Sequence, residues 1–117
     1  AIDGIHGYRI KSIIENYGYP SHKLIGEKGM EAFWLLVQHQ DYDVKLQEKC
    51  LKHCDFNLKN KAYLTDRIMV NREGTQIYGT QFNKPIIDKK NVDKRRKEMG
   101  LEPLKDYLKR RSSIRFK

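Results

Sequence analysis

The sequence predicts a mainly α fold of the α+β class, a compact bundle of about five helices with one small β-hairpin. Three observations carry that expectation. Apolar residues recur at helical spacing through the first 54 positions. Residues 67–82, RIMVNREGTQIYGTQF, instead alternate around a central Arg-Glu-Gly. Helix start and stop residues then return from Asn91 onward.

The elements follow in order. In IDGIHGYRIKSIIENYG, residues Ile10, Ile13, Ile14 and Tyr17 share one helical face, and Gly18 closes the helix. Tyr19-Pro20-Ser21 is a turn, because the residue before proline avoids helical geometry. GEKGMEAFWLLVQHQ then places Met30, Phe33, Trp34 and Val37 on one stripe, with Leu35 and Leu36 on the remaining sides. An all-round apolar helix of this kind is expected at the centre. DVKLQEKCLKHC follows, with Val44, Gln47, Leu51 and Cys54 on one face and Asp43 as its N-cap. The alternating stretch predicts a hairpin with Gly74 in its turn, ended by Lys84-Pro85. Asn91 is expected to cap a helix through Val92, Arg95, Arg96 and Met99 that stops at Gly100. Pro103 suits the first turn of a last helix, with Leu104, Tyr107 and Leu108 along one face. Two strands alone are only marginally stable, so the hairpin is expected to lie on the helices.

Bulk composition fits one domain over residues 1–117. The chain has 117 residues, 33% of them charged and 38% hydrophobic, enough for one modest core. No apolar run approaches the roughly 18 residues of a membrane span. The chain begins at Ala1 without Met, inside an apparent helix, so an upstream helical segment is expected to have been removed. The compartment stays open, with the cytoplasm slightly favoured over a processed secreted or effector domain. Net charge is +9, and it is unevenly spread. Residues 83–117 hold 13 Lys/Arg against 5 Asp/Glu, whereas residues 1–82 hold 11 against 10. Residues 109–117 read as a loose basic tail, and residues 84–117 as the region that would draw a polyanion. Cys50 and Cys54 lie one helical turn apart, a spacing unsuited to an easy disulfide, and read as buried small apolar residues.

Candidate functional residues gather where the most apolar helix ends in Gln-His-Gln-Asp-Tyr-Asp. Gln38, His39, Asp41 and Asp43 project from the end of a buried element, and Gln47 follows one turn later. His39 suits a general acid or base oriented by Asp41 or Asp43. The same three side chains form the one divalent-cation candidate, as mixed nitrogen and oxygen donors permit, and no other cofactor is predicted. The plainer alternative is a histidine at a helix C-terminus beside capping aspartates. Asp66-Arg67 sets an acid beside a guanidinium, and Tyr78-Gly79-Thr80-Gln81 adds a phenol and two hydrogen-bonding side chains.

The blocks YGYP, GMEAFWLLVQHQDYD, Gln47, AYLTDRIMV, QIYGTQ, PIID and VDKRRKEMGLEPL, in this order, resemble an uncharacterised bacterial family, domain of unknown function 6624. The resemblance covers nearly the whole chain. It implies recurrent polar positions at Gln38, His39, Asp41, Asp43, Gln47, Asp66, Arg67, Tyr78, Gly79, Thr80, Gln81, Asp93, Arg95 and Arg96. It supplies no established activity. Members of the family extend further upstream with an acidic, Arg-bearing helix, and His6 stands where they carry Asn.

Three functions follow as expectations. One is a hydrolase or transferase pocket around His39, Asp66, Arg67 and Gln81. In it Asp41 or Asp43 orients the histidine, Arg67 clamps an anion, and Gln38, Gln47, Tyr78, Thr80, Gln81, Arg95 and Arg96 hold a small-molecule or phosphate-bearing substrate. No phosphate loop, serine elbow or dinucleotide fingerprint is present. The second is a basic nucleic-acid-binding module or small metal-independent ribonuclease or toxin domain, with Tyr107 and Phe116 as stacking groups. The basic and aromatic residues are not interleaved in sequence, which counts against it. The third is a non-catalytic interaction domain whose polar blocks only hold the fold.

Overall fold

Apolar stripes at helical spacing dictate the first four elements of the computed structural model, which describes residues 2–115. Helix α1 (Ile2–Tyr17) turns Ile10 and Ile14 toward the core, while Ile13 and Tyr17 face solvent. Helix α2 (His22–Gln38) starts at Ser21, whose hydroxyl accepts from the Leu24 amide at 3.3 Å, and it kinks at Gly26. Its Met30, Phe33 and Val37 are buried and Trp34 partly so, but Leu35 is exposed, so α2 has an open side. It packs against α1, against α3 (Val44–His53) and against α4 (Leu58–Glu73). Asp43 caps α3 as expected, accepting from the Leu46 amide at 3.2 Å. One core joins the four helices through Ile10, Met30, Phe33, Val37, Leu46, Cys50, Cys54, Phe56, Leu64 and Ile68. Each fully buried aliphatic side chain there contributes about 1.5–3 kcal/mol. Both cysteines are buried and unbridged.

The expected hairpin does not form. Among the described residues there is no strand, and residues 67–73 belong to α4. Burial does alternate along α4, at Ala62, Leu64, Asp66 and Ile68, but only Ile68 lies in the stretch that suggested strands. On a helix, Asn60, Leu64 and Ile68 form one stripe and Ala62 and Asp66 a second on roughly the opposite side. The first stripe meets the core and the second meets the following loop, so the helix is covered on two sides. Gly74, expected in the hairpin turn, is the left-handed C-cap of α4 at φ 76°. What remains of β structure is a single parallel bridge between Gln76 and Ile86.

From Gly74 the chain runs through that bridged loop and one 3-10 turn (Lys89–Asn91) into α5 (Val92–Glu98) and then α6 (Leu104–Arg115). Asn91 occupies the expected N-cap position of α5, but its amide donates to Asp88 instead of capping. Asp93 caps α6 from a distance, accepting from the Leu104 amide at 2.8 Å. A second, smaller core holds this part together: Val92, Leu104 and Tyr107, with Ile86 beside them. A side chain at Gly79 would be strained. The residue's φ is 74°, and a Cβ would sit 2.8 Å from Leu104. Residues 109–115, expected in a loose tail, continue α6, whereas Phe116 lies outside the described residues.

Candidate functional site

The predicted site residues divide between two polar networks on either side of α4. The first is centred on Asp41. Its carboxylate takes Arg67 through both oxygens, at 2.9 Å from Nε and 2.7 Å from Nη2. Asn71 donates to Asp41 at 2.9 Å, and Gln47 at 3.3 Å. Gln47 is fully buried and also donates to the Val37 and Gln38 carbonyls, satisfying orphan groups at the end of α2. Burial by itself would raise the Asp41 carboxyl, but the bonds from Arg67 and Asn71 and the guanidinium charge outweigh it and hold its pKa at about 2. Asp43 is held low chiefly by its bond with Lys11, 2.8 Å away, against the opposing effect of burial.

Expected roles and observed positions differ in this network. Arg67 is tied to a carboxylate and is not an open anion clamp. His39 is the exposed C-cap of α2, joined to the helix by its backbone amide. Gln38 is buried, and its Oε1 has no partner among the described residues. The proposed cation set does not assemble either: among the described residues no group of three or more His, Cys, Asp or Glu side chains is placed to hold a metal.

The second network is centred on Asp66, which has no exposure. Its Oδ1 accepts from the amides of Ile77 at 2.9 Å and Tyr78 at 3.0 Å. Its Oδ2 accepts from the Thr80 amide at 3.0 Å and hydroxyl at 2.7 Å. One carboxylate thereby accepts four hydrogen bonds from three loop residues, Ile77, Tyr78 and Thr80. Gln81 joins through its side-chain amide, 3.0 Å from the Thr80 hydroxyl. The buried Gln76 closes the loop from within, donating to the Gln81 and Lys84 carbonyls and accepting from the Gln81 amide. Arg95 fastens the same loop through the carbonyls of Ile77, Ile87 and Asp88. Asp66 and Gln81 therefore meet, while Arg67 and His39 lie outside their network.

This loop in turn places Arg96. The residue is 1% exposed, and its Nε and Nη1 donate to the carbonyls of Glu102 at 2.6 Å and Tyr78 at 2.7 Å. These two carbonyl oxygens accept two of its five N–H donors without cancelling its charge. No carboxylate forms an ion pair with it among the described residues. Burial lowers its pKa accordingly. Its guanidinium lies over the Tyr107 ring, 4.8 Å from the centroid, and the Tyr107 hydroxyl donates to the Thr80 carbonyl at 3.1 Å.

Arg96 and Tyr107 line a cleft of about 570 Å³ together with Lys59 and Tyr63 of α4, Gly100 to Glu102, and Arg110 of α6. Three cations thus face one acid, Glu102, which is itself paired with Arg110 at 2.6 Å. Burial, and then the neighbouring Tyr107, push the Tyr63 phenol up to about 12, so it remains a hydrogen-bond donor at neutral pH. Lys59, Tyr63 and Arg110 were not legible as site residues. The first two share a helical face four positions apart, but only the cleft they line with residues of α5 and α6 gives that face a purpose.

A family model described as a family of unknown function, DUF6624, matches residues 1–114. The chain belongs to the DUF6624 family. No curated protein and no solved structure matches it. In this DUF6624 domain no described helix is long and apolar enough to cross a membrane.

Proposed function

We propose that this domain binds a phosphate-bearing small molecule in the cleft between α4, α5 and α6. The observation that carries the reading is Arg96, a buried guanidinium at the cleft that carbonyls hold in place and that no carboxylate pairs with directly, Asp93 and Glu102 acting on it only through space. A buried cation of this kind is costly unless a counter-charge arrives, and an anion entering beside Lys59 and Tyr63 supplies one, Arg110 being already paired with Glu102. The cleft volume falls within the range of small-molecule sites. Of the residues expected to hold substrate, Arg96 lines the cleft. Asp66, Tyr78 and Thr80 act behind it by fixing the loop. An acid–base mechanism on His39 has less support, since Asp41 and Arg67 are committed to each other and the imidazole is exposed.

Calorimetric titration with ribose 5-phosphate tests this. Saturable binding in the micromolar to low millimolar range is expected, about 4–8 kcal/mol. The double variant Lys59→Ala/Arg110→Ala should weaken it at least ~10-fold with the melting temperature nearly unchanged, because both side chains are exposed. No saturable heat with the wild-type domain overturns the proposal.

A further inference from the structure

Cations and rings that are scattered in sequence are interleaved in space along α6. Arg96 lies 4.8 Å from the Tyr107 centroid, and Arg110 and Arg111 lie 5.6 and 5.9 Å from the same ring. Arg111 also covers Phe82, at 4.9 Å. The series runs guanidinium, phenol, guanidinium pair, phenyl, from the cleft outward to Phe82, which is 51% exposed. It sits in the basic part of the molecule, where residues 83–117 hold 13 Lys/Arg against 5 Asp/Glu.

We infer that the cleft is one end of a track for single-stranded nucleic acid, with a phosphate at Arg96 and a neighbouring base against Phe82 and Arg111. This rests on the anion-binding reading of the cleft and extends it from a phosphate ester to a phosphodiester chain. Three features favour a nucleic acid over another polyanion. Positive charge attracts the backbone, while planar guanidinium and phenyl groups offer stacking surface to every base. The alternation of guanidiniums and rings, contributed by α5, α6 and the loop at Phe82, also suits a ligand in which charged groups and bases alternate.

Fluorescence anisotropy with fluorescein-labelled oligo-rU and oligo-dT of ~12 nucleotides tests the inference, the two probes separating RNA from DNA. Binding at low salt is expected, with log K falling at a slope of about −2 to −3 in log salt for three to four phosphates neutralised. Phe82→Ala and Arg111→Ala should each weaken oligonucleotide binding at least ~5-fold and leave ribose 5-phosphate binding unchanged. Lys45→Ala/Lys49→Ala on α3, away from the track, should change neither. If ribose 5-phosphate binds and neither oligonucleotide does, the inference fails and the small-molecule site stands. Failure of both ligands removes both. Equal loss of oligonucleotide binding in the α3 variant, or none in Phe82→Ala, shows diffuse charge attraction and also overturns the track.

Discussion

The two halves of the molecule are stabilised by different physics. Helices α1 to α4 enclose a core of ten buried apolar residues, whereas the loop with α5 and α6 rests on three, Val92, Leu104 and Tyr107. The smaller half compensates with directed polar bonds: Asp66 to three amides and a hydroxyl, Gln76 across the loop, Arg95 and Arg96 onto carbonyls. Apolar burial tolerates some change of shape, while a saturated buried network fails when one member is removed. The half built by hydrogen bonds also supplies six of the eight residues lining the cleft and most of the net positive charge. A site needs atoms at fixed positions, and directional bonds provide them where a small core does not.

That contrast can be broken experimentally. The largest effect is expected from Asp66→Ala, which strips the partner from three buried amides and one hydroxyl. A loss of about 4 kcal/mol in urea unfolding is expected, together with weaker ribose 5-phosphate binding in whatever fraction stays folded. A loss below about 1 kcal/mol would mean that the loop holds without its carboxylate. Leu64→Ala, in the large core, should cost about 3 kcal/mol. Because α4 keeps its other stripe, ligand affinity below the unfolding transition should be untouched. If affinity falls as far as it does for Asp66→Ala, the halves are not separable.

The smallest effect concerns pH. Asp41 has its folded pKa lowered from 3.8 to about 2, so its pairing stabilises the fold fully above pH 4. That contribution is lost as pH falls from about 4 through 2, because the unfolded chain then binds the proton first. The carboxylate is 42% exposed, so after screening the effect is about 1 kcal/mol. Urea midpoints between pH 5 and pH 2 should show it, and Arg67→Ala should flatten that dependence. An unchanged slope in the variant would assign the acid sensitivity to other carboxylates.

Helical periodicity, the turn at Pro20, the Asp43 cap and the C-terminal charge excess were all legible in the residues, because each is a local property of spacing or type. The family was legible for the same reason, from polar blocks in a fixed order. The hairpin expected over residues 67–82 does not form because alternating residue types do not reveal that 67–73 continue α4 and that 77–80 is bound to Asp66 as a loop. Likewise Asp66-Arg67 looked like one functional pair, yet adjacent helical residues point about 100° apart and serve different networks. The amino-acid order thus determined which segments are helical and where charge accumulates. Tertiary structure alone decided which polar groups find partners, which guanidinium is buried without a direct ion pair among the described residues, and which rings stand between arginines. Those are long-range matters, settled when α4, α5 and α6 meet around one loop.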